Sequence, residues 1–162
     1  TTTFAALGGA QNLVGNLQFD PELVDAYEFG AKYSTREFSL SAAVFRQDFS
    51  NFQLNTFNGT VFLVQTVNGC SVDNGAADQD LSATTGACAA GDVTYGVRSE
   101  GVELEAALVP DRDLRFAAGV TYANTRYQDS LVGNRFGAPL DPALRKLPGD
   151  NLSNAPELVT TG

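Results

Sequence analysis

Histidine, methionine and tryptophan are absent from the 162 residues, and Lys plus Arg number 10 against 19 for Asp plus Glu, a net charge of −9. Nucleic acid is excluded as a partner by that balance, because contact with a phosphate backbone needs clustered cations. Without histidine there is no Ser/His/Asp set, and the chain carries neither zinc spacing nor a Gly-rich phosphate loop, so no enzyme and no cofactor is expected. No run of about 20 apolar residues can cross a bilayer as a helix, and no basic start with an apolar middle marks a signal peptide. A barrel strand crosses with only about 9–11 residues, so β-barrels stay open. The start without Met and the stop in mid-pattern at Thr160, Thr161 and Gly162 predict a segment of something larger.

What the chain does have is alternation. In the clearest of four stretches, Val102, Leu104, Ala106 and Leu108 share one face, while Gly101, Glu103, Glu105 and Ala107 share the other. Arg98 and Glu100 continue the first face as charges. The apolar face lasts about four positions while the strand pattern runs on, as expected where a strand crosses an oily layer roughly 25 Å tall beside a polar lumen.

The pattern predicts strands over Leu23–Ser34, 38–57, 93–109 and 114–128, with a fifth opening at Ala155. A two-residue turn at Thr35 and Arg36 would put Tyr33 opposite Phe38, Phe29 opposite Ala42 and Tyr27 opposite Val44, all apolar residues on one face. The second hairpin turns between Pro110 and Asp113, and Leu108 and Leu114 share a face only if its loop has an odd number of residues, three or five. Tyr27, Phe29, Phe38, Leu40, Val102, Leu104, Leu108, Phe116, Val120 and Tyr122 are then the expected lipid-facing set. Glu28, Lys32, Glu103, Glu105 and Arg115 are candidate lumen residues, hydrated wall charges that could line a substrate path. Tyr33 and Phe38 would mark one membrane interface, Tyr27 and Tyr122 the other. Both short turns fall at one edge, and the connections at the other run long, over 58–92 and 129–155, an outer-membrane barrel asymmetry. The 38–57 stretch would reach roughly 65 Å at about 3.3 Å per residue, projecting beyond the bilayer as in large receptors.

Several features sit in the long connections. Cys70 and Cys88 are expected to bridge in an oxidising compartment, the alternative being unlinked thiols. Asp73, Asn74, Asp78 and Asp80 offer oxygen ligands for calcium, but Thr84 stands where an EF-hand needs its bidentate Glu, so a solvated acidic loop is the preferred reading. Phe57, Val61, Phe62, Leu63, Val64 and Val67 are expected to extend the strand as a hairpin above the membrane or to contact an apolar ligand. The sequons at Asn58 and Asn151 carry no information.

Four stretches resemble a known family. Pro21-Glu22-Leu23-Val24-Asp25-Ala26-Tyr27-Glu28-Phe29-Gly30-Ala31-Lys32 is similar to the "PE-x-V-x-x-Y-E-x-G-x-K" segment of TonB-dependent outer-membrane receptor barrels. The 43–53 stretch, with Phe45, Asp48, Phe49, Asn51, Phe52 and Gln53, resembles "A-x-F-x-x-D-(Y/F)-x-(D/N)-(Y/F)-Q". The strand from Ser99 to Glu105 resembles "S-x-G-V-E-x-E", and Asn154-Ala155-Pro156 an "N-A-P" lead-in. The resemblance implies an all-β fold, an antiparallel meander of long strands from a large transmembrane barrel of the bacterial outer membrane. The family's barrel has about 22 strands around an N-terminal plug. It also implies active import of a scarce nutrient, an iron-siderophore, vitamin B12 or a carbohydrate, with outer-membrane lipid, TonB and an extracellular ligand as partners. Over 1–162 no plug, TonB box or C-terminal strand is recognised, so a partial barrel is expected. A passive channel and a soluble β-sandwich binding module are the competing readings; the sandwich would bury the apolar face in a dry core.

Overall fold

The computed structural model describes residues 20–57, 62–74 and 86–162. Alternation becomes strand throughout: β1 (Leu23–Ser34), β2 (Phe38–Ser50), β3 (Phe52–Phe57), β4 (Phe62–Cys70), β5 (Val93–Thr94), β6 (Val97–Asp111), β7 (Leu114–Tyr127), β8 (Leu131–Val132) and β9 (Leu158–Thr161). The helical pieces among the described residues are two 3₁₀ turns, Ala90–Asp92 and Pro142–Leu144. Five strands form one antiparallel sheet in the order β1-β2-β6-β7-β9, and β3, β4, β5 and β8 form a smaller sheet at its long-connection end. The large sheet is open among the described residues, with β1 and β9 as its edges.

The first turn differs from the expected one. Tyr33 pairs with Leu40, Phe29 with Val44 and Tyr27 with Arg46, so the loop is Arg36-Glu37, one residue further along, and the register moves by two. Thr35 is the reason: its Oγ1 donates to the Phe38 carbonyl at 3.1 Å and accepts from the Phe38 N–H at 3.0 Å, closing the turn around itself. A slip of two preserves every face, so the apolar set stays together. In the second hairpin Asp111 pairs with Leu114 around two residues rather than three or five, and the odd residue is absorbed by a bulge between Leu108 and Asp111.

The expected 38–57 strand breaks at Asn51, whose φ is 53°, a left-handed conformation that Asn tolerates better than most residues. Beyond it β3 leaves the large sheet and pairs with β4, Phe52 opposite Val67 through Phe57 opposite Phe62. That hairpin is the extension expected of the apolar residues at 57–67; Val61 lies outside the described residues. The uninterrupted reach of this strand therefore ends at Ser50. The 58–92 connection holds a further strand, β4, and 129–155 contains β8, while the expected 93–109 strand divides into β5, which pairs with β4, and β6. The fifth strand opens at Leu158 rather than Ala155.

The buried core lies at the long-connection end. Val97 and Tyr127 project from the large sheet into Val67, Leu131, Leu140 and Leu144, with Phe49, Phe52, Leu54, Leu147 and Leu152 packed around them. Phe49, Phe52 and Tyr127 stack edge to face at centroid separations of 6.0 and 6.2 Å. A second cluster joins the Cys70–Cys88 disulfide to Val132 and Val93.

Candidate functional site

Register sorts the large sheet into two unlike faces. On one, cross-strand rows read Phe29–Val44–Val102–Tyr122–Leu158, then Ala31–Ala42–Leu104–Val120–Thr160, Tyr33–Leu40–Ala106–Ala118, and Phe38–Leu108–Phe116. Small and large apolar residues thus form a continuous band. Its side chains are open: Phe29 is 76% exposed, Phe116 55% and Leu104 42%. Leaving so large a contiguous apolar patch in water is unfavourable, and such patches mark contact with lipid or another protein. From Leu114 to Tyr122 the band spans about 27 Å of strand at about 3.4 Å per residue, or about 21 Å of height at a tilt of about 40°.

All ten residues of the expected lipid-facing set lie on this face, but Tyr27 stands one row beyond the band, beside Arg46, Glu100 and Asn124. The next row is Asp25–Asp48–Arg98–Arg126. Asp48 is buried and accepts from both neighbours, from Arg98 Nε at 2.7 Å and Arg46 Nη2 at 2.8 Å. Burial opposes its ionisation, but the hydrogen bonds from Arg98 and then Arg46 outweigh it, so this carboxyl beyond the band stays below its usual pKa. The Arg98 guanidinium also lies over the Tyr95 ring, 4.3 Å from its centroid.

The opposite face is polar over the same height. Its rows are Gly30–Ala43–Glu103–Thr121–Val159 and Lys32–Ser41–Glu105–Gly119–Thr161, with Glu28 one row nearer the long connections and Arg115 beside the second turn. Lys32, Glu105 and Arg115 surround a groove of about 510 Å³ floored by Ser39, Ser41, Ala107 and Gly119, while Glu28 and Glu103 lie outside it. None of the ion pairs among the described residues involves these five side chains. Small residues and unpaired charges make a concave, wettable wall able to hold water or polar cargo.

Further along, the polar face becomes the buried core. Val24, Phe49, Val97 and Tyr127 form its next row but one after Glu28, and the small sheet with the 131–147 segment packs over the last three, leaving Val24 exposed on the edge strand. Burial pushes the Tyr127 hydroxyl pKa up. The alternation assigns these positions to the polar face but gives no sign that a second layer covers them there; the apolar identities of Phe49, Val97 and Tyr127 on that face were the available signal.

The calcium candidates do not assemble. Asp78, Asp80 and Thr84 lie outside the described residues, and Asn74 donates its amide to the carbonyls of Leu131 at 2.8 Å and Gly86 at 3.3 Å. No group of three metal-binding side chains occurs among the described residues. Asn58 also lies outside them, and Asn151 donates to Glu157 at 3.0 Å.

Two of the sequence stretches singled out above meet in space. Asn51 Nδ2 donates to the Pro21 carbonyl at 3.1 Å, the Gln53 N–H to Glu22 Oε2 at 3.1 Å, and Gln53 Nε2 to the Asp20 carbonyl at 3.2 Å. The Pro-Glu pair and the Asn-Phe-Gln triplet thus tie the start of β1 to the end of β2, at the far end of the hairpin whose register the Thr35 turn sets.

No curated protein and no solved structure matches the chain. A family model does, the TonB dependent receptor-like β-barrel, over residues 1–160. Open apolar face, polar reverse face and match agree, and the chain belongs to the TonB dependent receptor-like β-barrel family.

Proposed function

We propose that this chain is a stretch of barrel wall from an outer-membrane active transporter, which binds a scarce extracellular nutrient and imports it with energy relayed by TonB. The apolar face meets lipid, and Glu28, Lys32, Glu103, Glu105 and Arg115 face the lumen. Iron-siderophore, vitamin B12 and carbohydrate are the cargo classes of this reading. The carrying observation is the band of exposed apolar side chains bounded by charged rows, backed by a polar wall with a groove of about 510 Å³. A soluble sandwich would cover that band with a second layer, and among the described residues the second layer lies on the other face.

Further strands pairing with β1 and β9 would close the barrel, and a plug and TonB contact would be supplied by sequence outside this segment. Uptake of each cargo class by cells expressing the parent receptor, with and without a functional TonB, tests the reading. One class should accumulate only when TonB works. Equal accumulation without TonB would identify a passive channel instead.

A further inference from the structure

We propose that the notch between Arg98 and Arg126 binds the phosphate of an anionic lipid headgroup in the outer leaflet. The proposal rests on the reading that the apolar face meets lipid. Arg98 and Arg126 are direct cross-strand partners on β6 and β7, and like charges so placed repel each other unless something negative lies between or beside them. They stand on the apolar-face side of the sheet, two rows beyond Tyr122, where the hydrocarbon band has given way to polar side chains. That is the height of headgroups.

The notch is about 160 Å³ and is lined by Arg98, Glu100, Asn124, Arg126 and Gln128. Each guanidinium carries five N–H donors, and a phosphate suits that planar fork. Asp48 takes Nε and Nη2 of Arg98, at 2.7 and 3.4 Å, leaving Nη1. Asp129 takes only Nη2 of Arg126, at 3.1 Å. The Tyr95 ring against the Arg98 guanidinium and the bidentate grip of Asp48 together fix its plane. The carboxamides of Asn124 and Gln128 add neutral donors at the rim.

Three carboxylates must be weighed against this. Glu100 lines the notch and opposes an anion there; Arg46 on β2 is its register partner and offsets part of that charge, though its ion pair is with Asp48. Asp48 is shared by two arginines, Arg46 and Arg98. The Arg126–Asp129 pair is exposed on both sides, 44% and 69%, so water screens it and a phosphate can displace the carboxylate. Arg126 is the arginine of the row most free to turn to a new anion.

The test uses the parent receptor in vesicles of phosphatidylcholine with added diphosphorylated lipid A. Lipid A retained through detergent washing is measured for the wild type, Arg126→Gln, and Arg98→Gln with Arg126→Gln. A fluorophore on Val102→Cys, quenched by brominated phosphatidylcholine, reports insertion in every sample. Retention should fall about tenfold in Arg126→Gln with probe quenching unchanged, and millimolar inorganic phosphate should not displace the lipid. Undiminished retention in both variants would overturn the proposal, as would displacement by inorganic phosphate, which would make the ligand a soluble anion. An unquenched probe in the wild type would instead overturn the lipid-facing reading on which the notch depends.

Discussion

Asn51 and Asn68 hold each other twice: the Asn51 N–H donates to Asn68 Oδ1 at 2.7 Å, and Asn68 Nδ2 donates to Asn51 Oδ1 at 3.0 Å. Both are buried, and Asn51 is the left-handed residue at which the wall strand ends and the β3–β4 hairpin begins. Replacing Asn68 by Ala strands the Asn51 N–H, a loss of about 1–3 kcal/mol. Hydrogen exchange at β4 amides in the parent receptor should accelerate roughly five- to 150-fold. At Asn51 itself, Gly should be tolerated better than Ala by about 1 kcal/mol, since Ala adds the strain of positive φ.

Gly101 is a close-approach position. A Cβ there would lie 2.1 Å from the Tyr122 carbonyl oxygen and 2.8 Å from the Phe45 ring, which covers this glycine from the neighbouring strand. Gly101→Ala should push β7 away from β6 and cost about 1–3 kcal/mol, the usual price of overpacking. Urea titration of the folded receptor, followed by its altered gel mobility, should show a lower midpoint. Gly91→Ala, where added carbon meets nothing within 4 Å, serves as the control.

The disulfide between Cys70 and Cys88 ties the end of β4 to the segment leading into β5 across a separation of 18 residues. Closing a loop of that size stabilises by roughly 3 kcal/mol. The double Cys70→Ser, Cys88→Ser receptor should lose protection at the amides of positions 69 and 70 first, while β1, β2 and β6 keep theirs. Hydrogen exchange by segment separates these outcomes, and uniform loss across the sheet would show that the bridge supports the wall itself.

Placing an arginine on each face in turn should distinguish the two faces sharply. Leu104→Arg places a cation in the apolar band at about 2–4 kcal/mol if that band lies at the bilayer midplane. Glu103→Arg, one residue away on the polar face, should leave the folded fraction within about 0.5 kcal/mol of wild type. Heat-modifiable mobility of the barrel reads both.

How much of this was legible depended on range. The two faces were, because a period of two survives any even slip: the Thr35 turn moved the register by two without moving Phe29, Leu40 or Leu104 off the apolar face. The slip itself was not, because it depends on one hydroxyl choosing the Phe38 backbone. Asn51 carried a local signal for a break, Asn being tolerant of positive φ, but the continuous alternation around it pointed to one strand. The hairpin at 57–67 was expected, but the pairing of β4 with β8 was illegible for a different reason. Their pairing is long-range, Asn68 with Val132 and Gly69 with Leu131, and β8 is two residues long, too short for any period to show. The same holds for the core over Val97 and Tyr127, built from leucines at 131, 140 and 144 in a stretch with no alternation. On the candidate site, the sequence separated polar from apolar wall residues but not which charges meet; Lys32, Glu105 and Arg115 share a groove, and Glu28 and Glu103 do not.

The central claim is that the band containing Val102, Leu104, Ala106 and Leu108 is wetted by hydrocarbon. Single cysteines carrying a fluorophore, placed one at a time from 101 to 108 in the parent receptor and reconstituted with brominated lipid, test it directly. Quenching should alternate, strong at the four even positions and weak at 101, 103, 105 and 107. Equal quenching along the strand, or strong quenching at the odd positions, would contradict the account.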